Sequence, residues 1–179
     1  MDTDRLWQHL AGTRNVGAAV HADTMCWLCD HPMATRQDYL DILRAKARKH
    51  GWAVQYVECD RSPFAYTVGL NDWGLPELLI TGVSPSRASR LLGAVAREAL
   101  RGAALTPGVQ LKVRQGPLVE FVEVDHPEVH MGWAIEHAQA PIRAVQAVWA
   151  DGSGRWPWSV SFCDGLRRQP VLGIRARAA

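Results

Sequence analysis

WAVQYVECDRSPFAYTVGL, Trp52–Leu70, decides the architecture. WAVQYVEC alternates apolar and polar side chains, the period of a strand with one face in the core. PFAYTVGL is rich in aromatic and β-branched residues, which fit a pleated surface. Only the turn DRSP joins them. A crossover to a parallel neighbour needs a dozen residues or more, so so short a link implies an antiparallel pair.

Upstream lies TRQDYLDILRAKARKHG, Thr35–Gly51. Thr35 is a good N-cap, Asp38 suits the positive end of a helix dipole, and Gly51 suits its C-terminus. Tyr39, Ile42, Leu43 and Ala47 share one face, which predicts a helix. Downstream, LPELLITG (75–82) reads as a third strand and SPSRASRLLGAVAREALRG (84–102) as a helix capped by Ser84 or Ser86. VQLKVRQG (109–116) and PLVEFVEVD (117–125) are two further strands about a Gly-Pro turn. HPEVHMGWAIEHA (126–138) is a helix, with Asp125 as its cap and Glu128 placed as in a capping box. IRAVQAVWAD (142–151) is the last strand, and 154–173 is a Pro- and Gly-rich loop. The expected fold is one α+β domain over 23–179: a mainly antiparallel sheet of about six strands, with three helices packed on one side of it. Residues 1–22 read as a partly ordered appendage.

Composition bounds the function. The chain has 179 residues, 47% of them hydrophobic and 21% charged, enough for a core that needs no metal or disulfide staple. A net charge of +2 lacks the concentrated positive field of a nucleic-acid binder. No leader or membrane span is visible at the start, which gives the expectation of a soluble cytoplasmic protein with reduced thiols. No GxGxxG or GxxxxGK[ST] loop is present, so the usual dinucleotide and triphosphate fingerprints are missing.

CWLCDHP (26–32), HGWAVQYVE, PFAYTVGL, GLPELLITG, GPLVEFVEV and VQAVWADGSGRWPW with QPVLG, taken in that order, resemble the domain of unknown function 4262 family from about Cys26 to Gly173. The form with an N-terminal CWLCDHP is similar to that common in actinobacteria. The resemblance implies one soluble bacterial domain and carries no catalytic residues with it.

Chemistry concentrates first in Cys26 and Cys29. Two thiolates in a Cys-x-x-Cys turn can share one ion, and zinc accepts tetrahedral sulfur and nitrogen ligands. His126 and His130, four residues apart, project from one face if they lie on a helix, which would complete a Cys2His2 set. His31 is the spare candidate. Zinc or another transition metal is therefore the expected cofactor. Unligated buried thiols and a redox pair remain the alternatives, the latter weakened because the first helix opens six residues beyond Cys29 with Pro32 intervening. Covalent haem needs CxxCH, and Asp30 separates Cys29 from His31. HPEVH is not the HExxH of zinc peptidases, because Glu128 stands one position too late.

Ser84, Ser86, Arg87 and Arg90 at a helix start are suited to an anion such as a flavin phosphate. Tyr66 and Trp73 are the expected pocket walls, with Glu77 as acid or base. A small oxidoreductase using the thiols, flavin or haem is thus a second reading. An interaction module, using the basic helix face from Arg44 to Lys49, is a third. A small-molecule ligand fits the first two, and the protein partner of the third is unspecified.

Overall fold

The computed structural model describes residues 31–58, 62–166 and 168–176. The order is α1 (Arg36–His50), β1 (Ala53–Val57), β2 (Phe64–Val68), a 3-10 turn (Leu70–Trp73), β3 (Glu77–Thr81), α2 (Pro85–Leu100), β4 (Gln110–Lys112), β5 (Leu118–Glu123), α3 (Pro127–His130), α4 (Gly132–Ala138), β6 (Ala144–Trp149) and a 3-10 turn (Phe162–Gly165). The sheet is six-stranded, ordered β1-β2-β3-β6-β5-β4. β1–β2, β2–β3, β4–β5 and β5–β6 are antiparallel. β3 and β6 pair in parallel, with Leu78 opposite Val145. The 1–22 appendage lies outside the described residues.

Thr35 closes a reciprocal capping box with Asp38, and Gly51 ends α1 in the left-handed region at φ 88°. The third expected helix is broken. Met131, fully buried, has φ −121° and ψ 45°, which separates α3 from α4. Its N-cap is His126 at φ 52°, with no side-chain cap, so Asp125 does not serve as the cap. The local capping pattern loses to the burial of Met131 and Ala134 in the core.

The helices occupy both faces, not one. On the first, Leu91, Leu92, Val95 and Ala96 of α2 pack on Leu78, Ile80, Phe121 and Trp149. On the second, Leu43 of α1 and Ala134 of α4 pack with Tyr66, Val68 and Leu79. All five residues of β3 are buried. A central strand that is apolar on both faces requires cover on both.

The final loop is a strap across the second face. Thr81 Oγ1 and Gln146 Nε2 each donate to the Pro170 carbonyl at 2.7 Å, and Leu172 N donates to Gln146 Oε1 at 2.7 Å. Gln169 bonds both backbone groups of Trp149, at 2.9 and 2.8 Å. These contacts satisfy polar side chains that burial would otherwise penalise. A Cβ on Gly173 would stand 1.8 Å from the Glu123 carbonyl oxygen, so the strap can run this close only at a glycine.

Candidate functional site

The first site begins where α1 meets α4. Arg36 Nη2 donates to Glu136 Oε2 at 2.7 Å, and its guanidinium lies 4.4 Å over the Trp133 ring. Tyr39 meets the same indole edge-on, at 5.0 Å. The start of α1 therefore lies against α4. His126 and His130 lie before the α3–α4 break. Because His126 sits at the left-handed N-cap and not inside the helix, the two rings do not have the i,i+4 relation of a continuous helix. Glu128 links them in another way. His126 Nδ1 lies 3.0 Å from Glu128 Oε1. The Glu128 carboxyl is held below its ordinary range by its own backbone N–H, by His126, and more weakly by the charge of His130. The His130 ring stands edge-on to Phe64, 6.0 Å between centroids. His31 is exposed and precedes a turn closed by Ala34 N donating to its carbonyl at 2.8 Å. Cys26 and Cys29, and also Cys59, lie outside the described residues. Among the described residues no three His, Cys, Asp or Glu side chains form a group able to hold a metal ion.

The second site lies at the start of α2. Ser84 is the N-cap but makes no side-chain cap bond; its hydroxyl is 3.5 Å from that of Ser86. Arg87 turns inward and stacks 4.4 Å over Trp149, whereas Arg90 is exposed. Arg87, Trp149, Asp151, Gly152, Cys163 and Leu166 line a cavity of about 190 Å³. Asp151 organises its wall: its carboxylate accepts from the backbone of Ser153, Arg155 and Cys163, each at 2.9 Å, and from Arg155 Nε at 2.8 Å. Against the cost of desolvation, those donors bring the carboxyl down to about 2. Cys163, Asp164 and Gly165 follow one another at positive φ (48°, 53° and 75°), an arrangement with no sequence signature beyond the terminal glycine.

Tyr66 and Trp73 do not join this cavity. Tyr66 is buried in the opposite core, its phenol oxygen accepting from Trp133 N at 3.3 Å. Burial pushes that phenol above its ordinary range. Trp73 is 62% exposed and donates its indole N–H to the Gly51 carbonyl at 3.1 Å.

Glu77 is wholly buried beneath the Leu70–Trp73 turn. Oε2 accepts from the Thr67 hydroxyl at 2.6 Å; Oε1 accepts from Gly69 N at 2.8 Å and Asn71 N at 3.1 Å. Desolvation raises its carboxyl to about 7, opposed by those three donors and by His137. Two of its three hydrogen bonds come from the turn and its cap, and the third from β2. His137, which no motif singled out, lies close by: Nε2 is 2.9 Å from Asp72 Oδ2 across 65 positions of sequence. No spacing rule finds such a pair.

The basic residues of α1 are dispersed. Arg44 meets Asp41 at 3.5 Å, Lys46 is partly buried, and Arg48 and Lys49 are exposed in the last turn.

The six-stranded mixed sheet, covered on both faces by helices and a strap, defines a single α+β domain. The chain belongs to the family described as Domain of unknown function (DUF4262), whose profile matches residues 46–163. That stretch includes His126, His130, Glu77 and the α2 start, and begins after Cys26 and Cys29. Neither the curated proteins nor the solved structures contain a match to this chain. No helix among the described residues is long and apolar enough to cross a membrane.

Proposed function

We propose that this protein binds zinc or another transition metal through Cys26 and Cys29 together with His126 and His130, with His31 as the alternative nitrogen ligand. One observation supports the reading: the contact of Arg36 with Trp133 and Glu136 sets the start of α1 against α4, the helix that follows His126 and His130 in the chain. Arg36 stands seven positions after Cys29. An extended chain covers about 3.3–3.6 Å per residue, so roughly 24 Å is within reach. Glu128 beside both imidazoles adds negative charge favourable to a cation. Four protein ligands would close the coordination sphere and make the metal structural; three would leave a position for water or a small-molecule ligand.

Elemental analysis of untagged protein purified without added metal tests this. One metal per chain is expected, lost together in Cys26→Ser and in His130→Ala. Full occupancy in both variants, or no metal in the parent protein, refutes it.

A second reading, a small oxidoreductase, is favoured by a different observation: the half-buried Cys163 shares its cavity with the Arg87 guanidinium and Trp149. A bound flavin or haem would colour the purified protein. A colourless sample whose thiols do not cycle with a reductant eliminates this reading.

A further inference from the structure

The cavity of about 190 Å³ at the start of α2 has a rigid aromatic wall, a cation and a saturated carboxylate. The aromatic wall is Trp149, which is buried; its indole N–H donates to the Thr81 carbonyl at 3.1 Å and its ring packs on Phe162 at 5.1 Å. The Arg87 guanidinium lies 4.4 Å over that ring. The indole face supports the cation, and the N–H groups at the guanidinium rim are the donors that an oxyanion takes two at a time. The volume is below the roughly 300–1,000 Å³ of pockets for drug-sized ligands, so the ligand that fits is small.

Among the described residues that line the cavity, Arg87 and Asp151 carry charge. Asp151 is already fully engaged. Its Oδ1 accepts from Ser153 N and Arg155 N, and its Oδ2 from Arg155 Nε and Cys163 N. Two donors on each oxygen use both lone pairs, and Arg155 offsets the charge. The other carboxylate of this loop, Asp164, is 75% exposed and bonds Arg155 Nη1 at 2.7 Å. Arg87 is therefore the charged group with which the cavity meets a ligand.

Two further features agree with an anion there. Cys163 and Asp164 hold φ of 48° and 53°, a region that side chains other than glycine disfavour. The bonds of Cys163 N to Asp151 and of Arg155 to Asp164 fix this turn, so the cavity wall is preformed. Arg87 also stands in the first turn of α2, where the helix dipole disfavours a cation, and that turn contains no acidic residue.

We propose that this cavity binds a small organic oxyanion, a carboxylate or a phosphate ester, with its anionic group on the Arg87 guanidinium and its apolar body against Trp149 and Leu166. The site is separate from the proposed metal ligands. It shares its cavity with the oxidoreductase reading without resting on it: a colourless protein with inert thiols removes that reading and leaves this one standing.

Titration of the full chain with benzoate and with phenyl phosphate, followed by amide NMR, tests the site. Saturable shifts are expected at Gly152, Cys163 and Leu166. Benzyl alcohol, a neutral counterpart, should bind at least about tenfold more weakly, because it lacks the charge-assisted bonds to Arg87. Tighter binding of benzoate assigns a carboxylate, and tighter binding of phenyl phosphate a phosphate ester. Arg87→Lys keeps the charge without the planar fork, so it should weaken both anions while retaining their advantage over benzyl alcohol. Arg87→Gln should abolish that advantage. Absence of saturable shifts at those three residues with both anions, equal affinity for benzyl alcohol, or an undiminished preference for anions in Arg87→Gln overturns the proposal. The comparison with benzyl alcohol uses the parent protein alone, so it decides the matter even where Arg87→Gln fails to fold.

Discussion

The Arg36 guanidinium spans two elements at once, lying 4.4 Å over the Trp133 ring and bonding Glu136 at 2.7 Å. It is the clasp between α1 and α4. Both the ion pair and the cation–π contact are solvent-facing, and each is worth under about 1 kcal/mol. Arg36→Ala should lower the melting temperature by about 2–4 °C. If the cysteine segment binds metal beside α3, the same change should also weaken metal retention against a chelator. Unaltered retention in a variant with the expected small thermal shift would separate the clasp from the metal site.

Chelation gives an independent test of the proposed metal. Removing a ligand that binds only the folded form lowers apparent stability in proportion to the logarithm of its saturation. Excess chelator should lower the melting temperature of the parent protein and leave His130→Ala unchanged. Equal shifts in both would show that His130 is not a ligand.

Glu77 should leave a distinct mark on stability. Its carboxyl is raised from 4.5 in the unfolded chain to about 7 in the fold. The folded form therefore binds more protons than the unfolded form between these values. The stability that Glu77 contributes is fully present below the lower value and is lost as pH rises through the higher one. The loss amounts to about 3 kcal/mol at most. Denaturant titrations of Glu77→Gln against the parent protein should show the parent's decline between pH 5 and 8 flattened. A parallel decline in both proteins would assign the pH dependence to other groups.

Asp151 should behave in the opposite sense. Its carboxyl falls from 3.8 to about 2 on folding, so its support is present above the unfolded value and is lost as pH drops through the folded one. Asp151→Ala also removes the common acceptor of Ser153, Arg155 and Cys163. Limited proteolysis at neutral pH should then cut within 152–166 faster than in the parent protein. An unchanged digestion pattern would mean that the loop is held by its aromatic contacts, such as the Trp149–Phe162 pair at 5.1 Å.

Gly173→Ala tests the strap. The added methyl would stand 1.8 Å from a carbonyl oxygen of Glu123, so the backbone must move. Overpacking of this kind costs about 1–3 kcal/mol. Thermal unfolding should show the loss; no change would mean that the strap shifts freely.

Much of this architecture is written locally. The alternation of Trp52–Cys59, the short turn before Phe64, Thr35 with Asp38, and Gly51 after the helix each act through a few neighbouring bonds, and each places an element where the structure has it. The same locality explains where reading fails. Asp125 and Glu128 have the form of a cap, but Met131 is drawn into the core and the helix divides there. The candidate site was legible only as residue types. Glu77 is marked in the sequence as a carboxylate beside the turn between two strands, while its partners Gly69 and Asn71 and the neighbouring Asp72–His137 pair came from the closing of the turn.

By itself the amino-acid sequence determined the six strands, the first two helices, their order and the antiparallel β1–β2 hairpin, because periodicity, caps and turn length act over distances that one segment contains. Only the tertiary structure decided that β6 lies parallel to β3, that helices cover both faces, and that the strap supplies the bonds for Gln146 and Thr81. Those outcomes depend on which apolar faces and buried polar groups can be satisfied together, and that is a property of the whole packed chain.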